Sequence, residues 1–140
     1  MNKFNWDALK FSISKISDKR GDLYFFEALK DTLTFNFNRI YFVKNNFSSY
    51  DRGFHAHHRT QQAGLVIQGS CDIFMENSKK ESKTFSLSDP SKGILIPPLI
   101  WHEIRNISQD AIILFVANEY YDESDYIRDY SEFLSMGSDI

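Results

Sequence analysis

Four histidines are the residues of this 140-residue chain best suited to chemistry, and three of them fall within one short segment. His55, His57 and His58 follow one another closely, and His102 stands alone further along. Because side chains alternate between the two faces of a β-strand, His55 and His57 are predicted to share a face and His58 to point away. An imidazole titrates near neutral pH, exchanges protons and binds metals. The pattern therefore predicts a polar pocket for proton transfer or metal chemistry.

Short apolar and aromatic runs separated by polar turns occupy most of the chain and predict the β-strands that position these histidines. The predicted strands span residues 23–26, 35–43, 64–68, 71–75, 83–87, 93–96, 102–107 and 111–118. The strands at 64–68 and 71–75 are expected to form a hairpin around Gly69-Ser70. Ser124 is expected to cap a terminal helix that carries Tyr126, Ile127, Tyr130, Phe133 and Leu134 at helical spacing. We therefore expect one all-β domain over residues 1–140 with a short C-terminal helix.

Composition argues against several kinds of partner. The net charge of −3 disfavours nucleic-acid binding, which requires a basic surface. The longest apolar run, at 111–117, is too short to span a bilayer, and the N-terminus lacks the apolar stretch of a signal peptide. The single cysteine, Cys71, leaves no intrachain disulfide and is expected to be an inert core residue. We predict a cytoplasmic protein with neither nucleic acid nor a membrane as partner.

The two histidine segments resemble the two motifs of the cupin superfamily, Gly-x(5)-His-x-His-x(3,4)-Glu-x(6)-Gly and Gly-x(5)-Pro-x-Gly-x(2)-His-x(3)-Asn. The matching residues are His55, His57 and Gly69 for the first motif and Pro97, His102 and Asn106 for the second. Three positions depart from the pattern: Gln62 replaces the acidic residue, Leu99 replaces a glycine, and Gly93 is separated from Pro97 by three residues instead of five.

The departure at Gln62 bears on metal binding. In cupins that hold a metal, the residues corresponding to His55, His57, Gln62 and His102 are the ligands. A glutamine amide is neutral and is a weaker ligand than a carboxylate, so we expect no bound metal here. Three histidines can still hold zinc. A metal-dependent cupin enzyme therefore stays as an alternative.

Longer strings are similar to the nucleotide-sugar 3,4-ketoisomerases, cupins that act on dTDP-4-keto-6-deoxyglucose. The most specific strings are Arg52-Gly53-Phe54-His55-Ala56-His57 and Tyr121-Asp122-Glu123-Ser124-Asp125-Tyr126-Ile127-Arg128, in that order along the chain. Shorter matches lie at 39–42, 69–71 and 101–103, and the similarity runs from about residue 18 to residue 133. The resemblance implies a small cupin-type β-barrel (jelly roll), a homodimer that often exchanges N-terminal strands, and a reaction with neither metal nor cofactor.

The resemblance also implies the reaction, in which the ketone moves from C4 to C3 through an enediol and the product supplies 3-amino-3,6-dideoxyhexose synthesis. We expect His57 to take the C3 proton, His55 to shuttle a proton or bind the enediol oxygen, and Tyr41 to donate to a developing negative charge. The predicted substrate-binding residues are Arg20, Arg39, Arg52, Gln62, Trp101, His102 and Arg105. Either Arg39 or Arg52 suits the diphosphate, because a guanidinium fork matches phosphate oxygens. A sugar-binding cupin without catalysis is the non-enzyme alternative.

Overall fold

The computed structural model describes residues 3–30 and 33–139. Twelve strands lie in these residues: β1 (Lys10–Ser12), β2 (Ser14–Asp18), β3 (Gly21–Phe25), β4 (Arg39–Lys44), β5 (Arg52–His57), β6 (Gln62–Gln68), β7 (Cys71–Glu76), β8 (Ser82–Leu87), β9 (Lys92–Ile96), β10 (Trp101–Arg105), β11 (Ile112–Ala117) and β12 (Tyr126–Ile127). Short 3₁₀ helices occupy Trp6–Leu9, Glu123–Asp125 and Met136–Asp139, and helix α1 spans Tyr130–Ser135.

Ten of these strands form two five-stranded sheets. The first sheet has the order β1-β9-β6-β11-β4, the second has the order β12-β5-β10-β7-β8, and β2 and β3 form a separate hairpin. Each strand pairing is antiparallel. The expected fold is confirmed: the chain is mostly β, with the jelly-roll arrangement of a cupin barrel and a short C-terminal helix.

The main core fills the space between the two sheets. The first sheet contributes Val66, Ile94, Ile96, Ile113 and Phe115, and the second contributes Cys71, Ile73, Met75, Phe85, Leu87 and Ile104. Alternation along β7 shows the cause, since Cys71, Ile73 and Met75 are buried while the residues between them are only half-buried. Cys71 is buried in the core, as expected, and burial raises the pKa of its thiol to about 12. The polar site described below lies in this same space, beside the apolar core.

The predicted hairpin of residues 64–75 is wrong. Strand β6 pairs with β9 and β11 in the first sheet, whereas β7 pairs with β8 and β10 in the second. Gly69, with a φ of +79°, lies where the chain crosses between the sheets, and a Cβ there would lie 2.9 Å from the Cα of Ala111. The apolar alternation of these two strands fits a connection between sheets as well as it fits a hairpin. In either case each strand buries its apolar face in the core between the two sheets.

The expected terminal helix begins later than predicted. Tyr126 and Ile127 form strand β12, which pairs with His57 and Ala56 of β5. The helix α1 is capped by Asp129, whose side chain accepts hydrogen bonds from the backbone N–H groups of residues 131 and 132. Among the described residues, no helix is long and apolar enough to cross a membrane.

Candidate active site

Three of the four histidines converge on the inner face of the second sheet. His55 and His57 come from β5, and His102 comes from the neighbouring β10, where it lies directly opposite His55. The ring centroid of His55 lies 4.9 Å from that of His57 and 4.6 Å from that of His102. One ring nitrogen of each histidine lies within 4.8 Å of the others. The predicted cluster is present, and His58 is exposed as its position in the strand predicted.

A bulge in β5 sets which residues join this face. The register between β5 and β10 shifts at His102, so that Ile104 lies opposite Arg52. Gly53 has a φ of +90° at this point, and a Cβ on it would lie 2.9 Å from the carbonyl oxygen of His102. Residues that lie opposite each other on paired strands point to the same face of the sheet. Because Ile104 points into the core, Arg52 lies on the inner face of the second sheet, the same face as His55.

Tyr41 and Gln62 face the histidines from the first sheet. The Tyr41 hydroxyl donates to Gln62 Oε1 at 2.5 Å, and Gln62 Nε2 lies 3.3 Å from His102 Nε2. His102 Nδ1 lies 3.2 Å from the carbonyl oxygen of Ile100, which only accepts. His102 therefore carries its proton on Nδ1 and accepts at Nε2 from the Gln62 amide. The Tyr41 ring stacks on Phe115 at 4.9 Å, which fixes its position.

Burial sets the protonation states of the cluster. Loss of solvent lowers the pKa of His55 and His102, and it lowers the pKa of His57 to about 4 with a further contribution from the nearby His55. The same burial raises the pKa of the Tyr41 hydroxyl above its usual value. At neutral pH the site thus contains neutral imidazoles beside a protonated phenol. Such groups can accept a proton and donate a hydrogen bond within one pocket.

Two residues of the site, Asp125 and Tyr126, were missed by the sequence prediction. The Tyr126 ring lies 4.4 Å from the His57 ring and 4.9 Å from the His55 ring. Asp125 is 2% exposed, and its Oδ2 lies 3.2 Å from Nδ1 of His57. The available signal was the family string at 121–128. Its residues from Ser124 onward were predicted to begin a helix, whereas Tyr126 and Ile127 pair with β5.

The arginines separate into two groups by their partners. Four of the six are paired with carboxylates: Arg20 with Asp18, Arg59 with Asp122, Arg105 with Glu103, and Arg128 with Glu123. Within residues 3–30 and 33–139, Arg39 and Arg52 form no ion pair. The guanidinium of Arg39 lies 5.4 Å from the Tyr41 ring centroid, and its Nε is buried without a hydrogen-bond partner among the residues that the structure describes. These two arginines keep their charge available for an anion.

Three predicted substrate-binding residues lie away from His55, His57 and His102. Trp101 and Arg105 alternate with His102 along β10 and so lie on the outer face of the second sheet, where Trp101 is buried against Phe133 of α1. The Trp101 Nε1 donates to Glu103 at 2.8 Å, and the Arg105 guanidinium stacks 4.1 Å from the Phe74 ring. Arg20 lies in the exposed turn of the β2–β3 hairpin, paired with Asp18.

The fold and the site together define a cupin barrel that encloses a cluster of three histidines. The family model "FdtA: WxcM-like, C-terminal" matches residues 7–138. A TDP-4-oxo-6-deoxy-α-D-glucose-3,4-oxoisomerase from Aneurinibacillus thermoaerophilus is 34% identical over 122 residues, which cover 87% of this chain and 86% of that protein.

Solved structures agree with this match. A 3,4-ketoisomerase from Helicobacter canadensis superposes with a TM-score of 0.86 at 36% identity and covers 92% of this chain and 96% of its own. A histidine-to-asparagine variant of the 3,4-ketoisomerase QdtA from Thermoanaerobacterium thermosaccharolyticum, in complex with TDP-4-keto-6-deoxyglucose, superposes with a TM-score of 0.87 at 31% identity over 93% of each chain. The chain belongs to the FdtA family of sugar 3,4-ketoisomerases.

Proposed function

We propose that this protein moves the ketone of TDP-4-keto-6-deoxyglucose from C4 to C3. The observation that carries the proposal is the set of neutral imidazoles facing the Tyr41 hydroxyl and Gln62 in a chain of this family. The conversion is an isomerisation, so its electrons and protons balance within the sugar and it requires no oxidant or reductant. What it requires is a base, an acid and a donor to the developing oxyanion.

His57 is proposed as the base that removes the proton from C3. The C3–H electron pair then forms the C3=C4 double bond, and the C4 carbonyl oxygen gains the charge of an enediolate. The Tyr41 hydroxyl stays protonated because its pKa is raised, and it is proposed to turn its single O–H from Gln62 Oε1 to that oxygen when the substrate binds. His55 is proposed to relay the proton of the C3 hydroxyl to the C4 oxygen, and return of a proton from His57 to carbon C4 leaves a ketone at C3 and a hydroxyl at C4. His102 and Gln62 are proposed to line the sugar pocket.

Arg39 and Arg52 are proposed to bind the diphosphate. Both are free of carboxylates in the described part of the chain, and Arg52 is on the same strand face as His55. Buried guanidinium nitrogens without a partner are rare, and the Nε of Arg39 gains one if a phosphate oxygen binds there. Trp101 and Arg105 stay predictions that the geometry of this protomer does not support, since they face away from His102.

A homodimer is proposed from the exposed apolar surface. Ile16 and Leu23 lie opposite each other on the β2–β3 hairpin, and each is more than half exposed. Ile40 and Phe42 are equally exposed on β4, which is the edge strand of the first sheet. Exposed apolar edge strands are pairing sites, so the hairpin of one protomer is proposed to cover β4 of its partner. This exchange would also carry Arg20, at the hairpin turn, toward a second protomer.

The dimer is tested by measuring mass in solution by light scattering. We expect Leu23→Asp to shift the protein to the monomer, because a carboxylate would be buried without a partner. Tyr50→Asp is the matched control, since Tyr50 is exposed outside the hairpin and β4. A wild type that is monomeric at micromolar concentration contradicts the proposal.

The same three histidines favour one alternative, a metal-dependent cupin. Their ring nitrogens are close enough to share one ion, and neutral imidazole is a good zinc ligand. The carbonyl oxygen of Gln62, however, accepts from Tyr41, so the amide does not offer it as a fourth ligand. We also propose that the enzyme acts in the cytoplasm as a single cupin domain, with the lone buried Cys71 as support for a reducing compartment.

Proton NMR of TDP-4-keto-6-deoxyglucose incubated with the protein in D₂O and excess EDTA tests the activity. Conversion to the 3-keto sugar, with deuterium at C4 where the proton exchanges with solvent, is the expected result. A parallel reaction in H₂O keeps a proton at C4, and the coupling constant between H4 and H5 reports the configuration at C4. Turnover that appears only after zinc, iron or manganese is added would place the protein among metal-dependent cupins. No turnover under either condition would indicate a sugar-binding module.

A further inference from the structure

We propose that Asp125 is a positioning residue that fixes the tautomer of His57, so that the unprotonated Nε2 faces the substrate. The inference rests on the proposed role of His57 as the base. Asp125 is not among the side chains proposed to contact the sugar. It would act through His57 by holding the lone pair of Nε2 available for proton abstraction.

The contacts of the Asp125 carboxylate assign each proton. Its Oδ1 accepts from the backbone N–H of Arg59 at 2.7 Å, and its Oδ2 accepts from the Thr60 hydroxyl. The remaining contact of Oδ2 is to Nδ1 of His57 at 3.2 Å. An ionised carboxylate is an acceptor only, so the shared proton belongs to Nδ1 of His57. In a neutral imidazole the proton on Nδ1 leaves the lone pair on Nε2.

The Nε2 of His57 has the environment expected of such a base. It is buried, and it has no hydrogen-bond partner within residues 3–30 and 33–139. An unpaired buried acceptor is unfavourable and is found where a ligand or reaction uses it. The Tyr126 ring packs over the imidazole and the pairing of β12 with β5 holds the segment in place, so His57 cannot easily turn its ring. Its lone pair is thus held toward the pocket.

The hydrogen bond from the Arg59 backbone N–H makes the tautomer of His57 testable by one substitution, Asp125→Asn, which replaces a carboxylate oxygen by an amide nitrogen. In Asp125→Asn the amide oxygen must take the Oδ1 position, because the Arg59 N–H there can only donate. The amide nitrogen then takes the Oδ2 position and donates to Nδ1 of His57, while the Thr60 hydroxyl can accept its second proton. His57 is forced into the tautomer with its proton on Nε2. The variant keeps the shape of the site and loses the base.

The experiment measures the tautomer directly by long-range ¹H–¹⁵N correlation of the four ¹⁵N-labelled histidines. The His57 signals are assigned by their loss in His57→Asn. We expect the wild type to show a protonated Nδ1 and an unprotonated Nε2 for His57, and Asp125→Asn to show the reverse. In steady-state assays of Asp125→Asn we expect kcat to fall by up to about 10⁴-fold, the loss seen when the same change inverts the histidine of a Ser-His-Asp triad, with KM nearly unchanged.

Asp122→Asn is the matched control, because it makes the same exchange on an exposed carboxylate of the same segment and leaves His57 untouched. It should keep the wild-type tautomer and kcat. A wild-type His57 protonated on Nε2 overturns the inference without any variant, and so does an Asp125→Asn enzyme that turns over at the wild-type rate. A wild type with the expected tautomer and no turnover would instead overturn the proposed function and leave the hydrogen-bond assignment standing.

Discussion

Burial of the histidine cluster makes folding stability depend on pH in a direction that the structure fixes. The pKa of His57 falls from 6.5 in the unfolded chain to about 4 in the fold, chiefly because the ring is desolvated. Between pH 6.5 and about pH 4, His57 is protonated in the unfolded chain and neutral in the folded protein. The stability from the neutral ring is therefore fully present above pH 6.5 and is lost as the pH falls through about 4.

The size of the effect follows from the same two values. A pKa difference of one is worth about 1.4 kcal/mol, so His57 contributes on the order of 3 kcal/mol across this window. The slope of unfolding free energy against pH then approaches about 1.4 kcal/mol per pH unit for this residue. His55 and His102 add to the slope with the same sign, because the pKa of each is also lowered by burial. A loss of this size is a large part of the stability of a domain this small.

Urea unfolding at pH 7.5, 6.0, 5.0 and 4.5, followed by tryptophan fluorescence, measures the slope. We expect His57→Asn to be less steep than the wild type by up to about 1 kcal/mol per pH unit, since Asn does not titrate. His58→Asn is the matched control, because it makes the same exchange at an exposed histidine outside the buried cluster. Equal slopes in His57→Asn and the wild type would refute the reasoning, since His57 would then be as free to bind a proton in the fold as in the unfolded chain.

Two further changes test the pocket, and a third tests the backbone conformation at Leu99. Tyr41→Phe keeps the stack on Phe115 but removes the hydroxyl, so kcat should fall by about 10²–10³ while the urea midpoint moves little; an unchanged kcat would exclude Tyr41 as the donor. Gln62→Glu places a carboxylate beside the three imidazoles and should bind Zn²⁺ more tightly than the wild type in calorimetry; equal affinity would show that the carboxylate stays with Tyr41. Leu99→Gly should raise the free energy of unfolding by up to about 1 kcal/mol, because Leu99 has a φ of +60°; a decrease would show that packing of the leucine matters more.

The histidine cluster was predictable because its rule is local. A spacing of two residues puts His55 and His57 on one face whatever the surrounding fold, and the motif resemblance added His102. The position of Arg52 was not predictable by alternation alone, since it depends on the bulge at Gly53. A bulge shifts the register by one residue, and that shift moves every preceding side chain of the strand to the other face.

Pairing between distant strands was the less predictable part of the fold. The runs at β6 and β7 and the turn at Gly69 were identified, yet the sequence does not distinguish a hairpin from a crossing between sheets. Tyr126 and Ile127 were assigned to a helix because their spacing to Phe133 fits a helical face. The contact of β12 with β5 outweighed that local preference, and it is this contact that places Asp125 beside His57.

Gln62 shows how one neutral side chain separates proton chemistry from metal chemistry in this barrel. A carboxylate at that position would accept hydrogen bonds only and would supply the charge that balances a divalent cation. The amide instead donates to Nε2 of His102 and accepts from Tyr41, so it occupies the lone pair of one imidazole and the proton of the phenol. In the described part of the chain, no protein group forms a hydrogen bond with Nε2 of His55 or of His57. The barrel thus keeps the three-histidine geometry of a metal site, while the hydrogen bonds of Gln62 favour proton transfer over metal binding at these histidines.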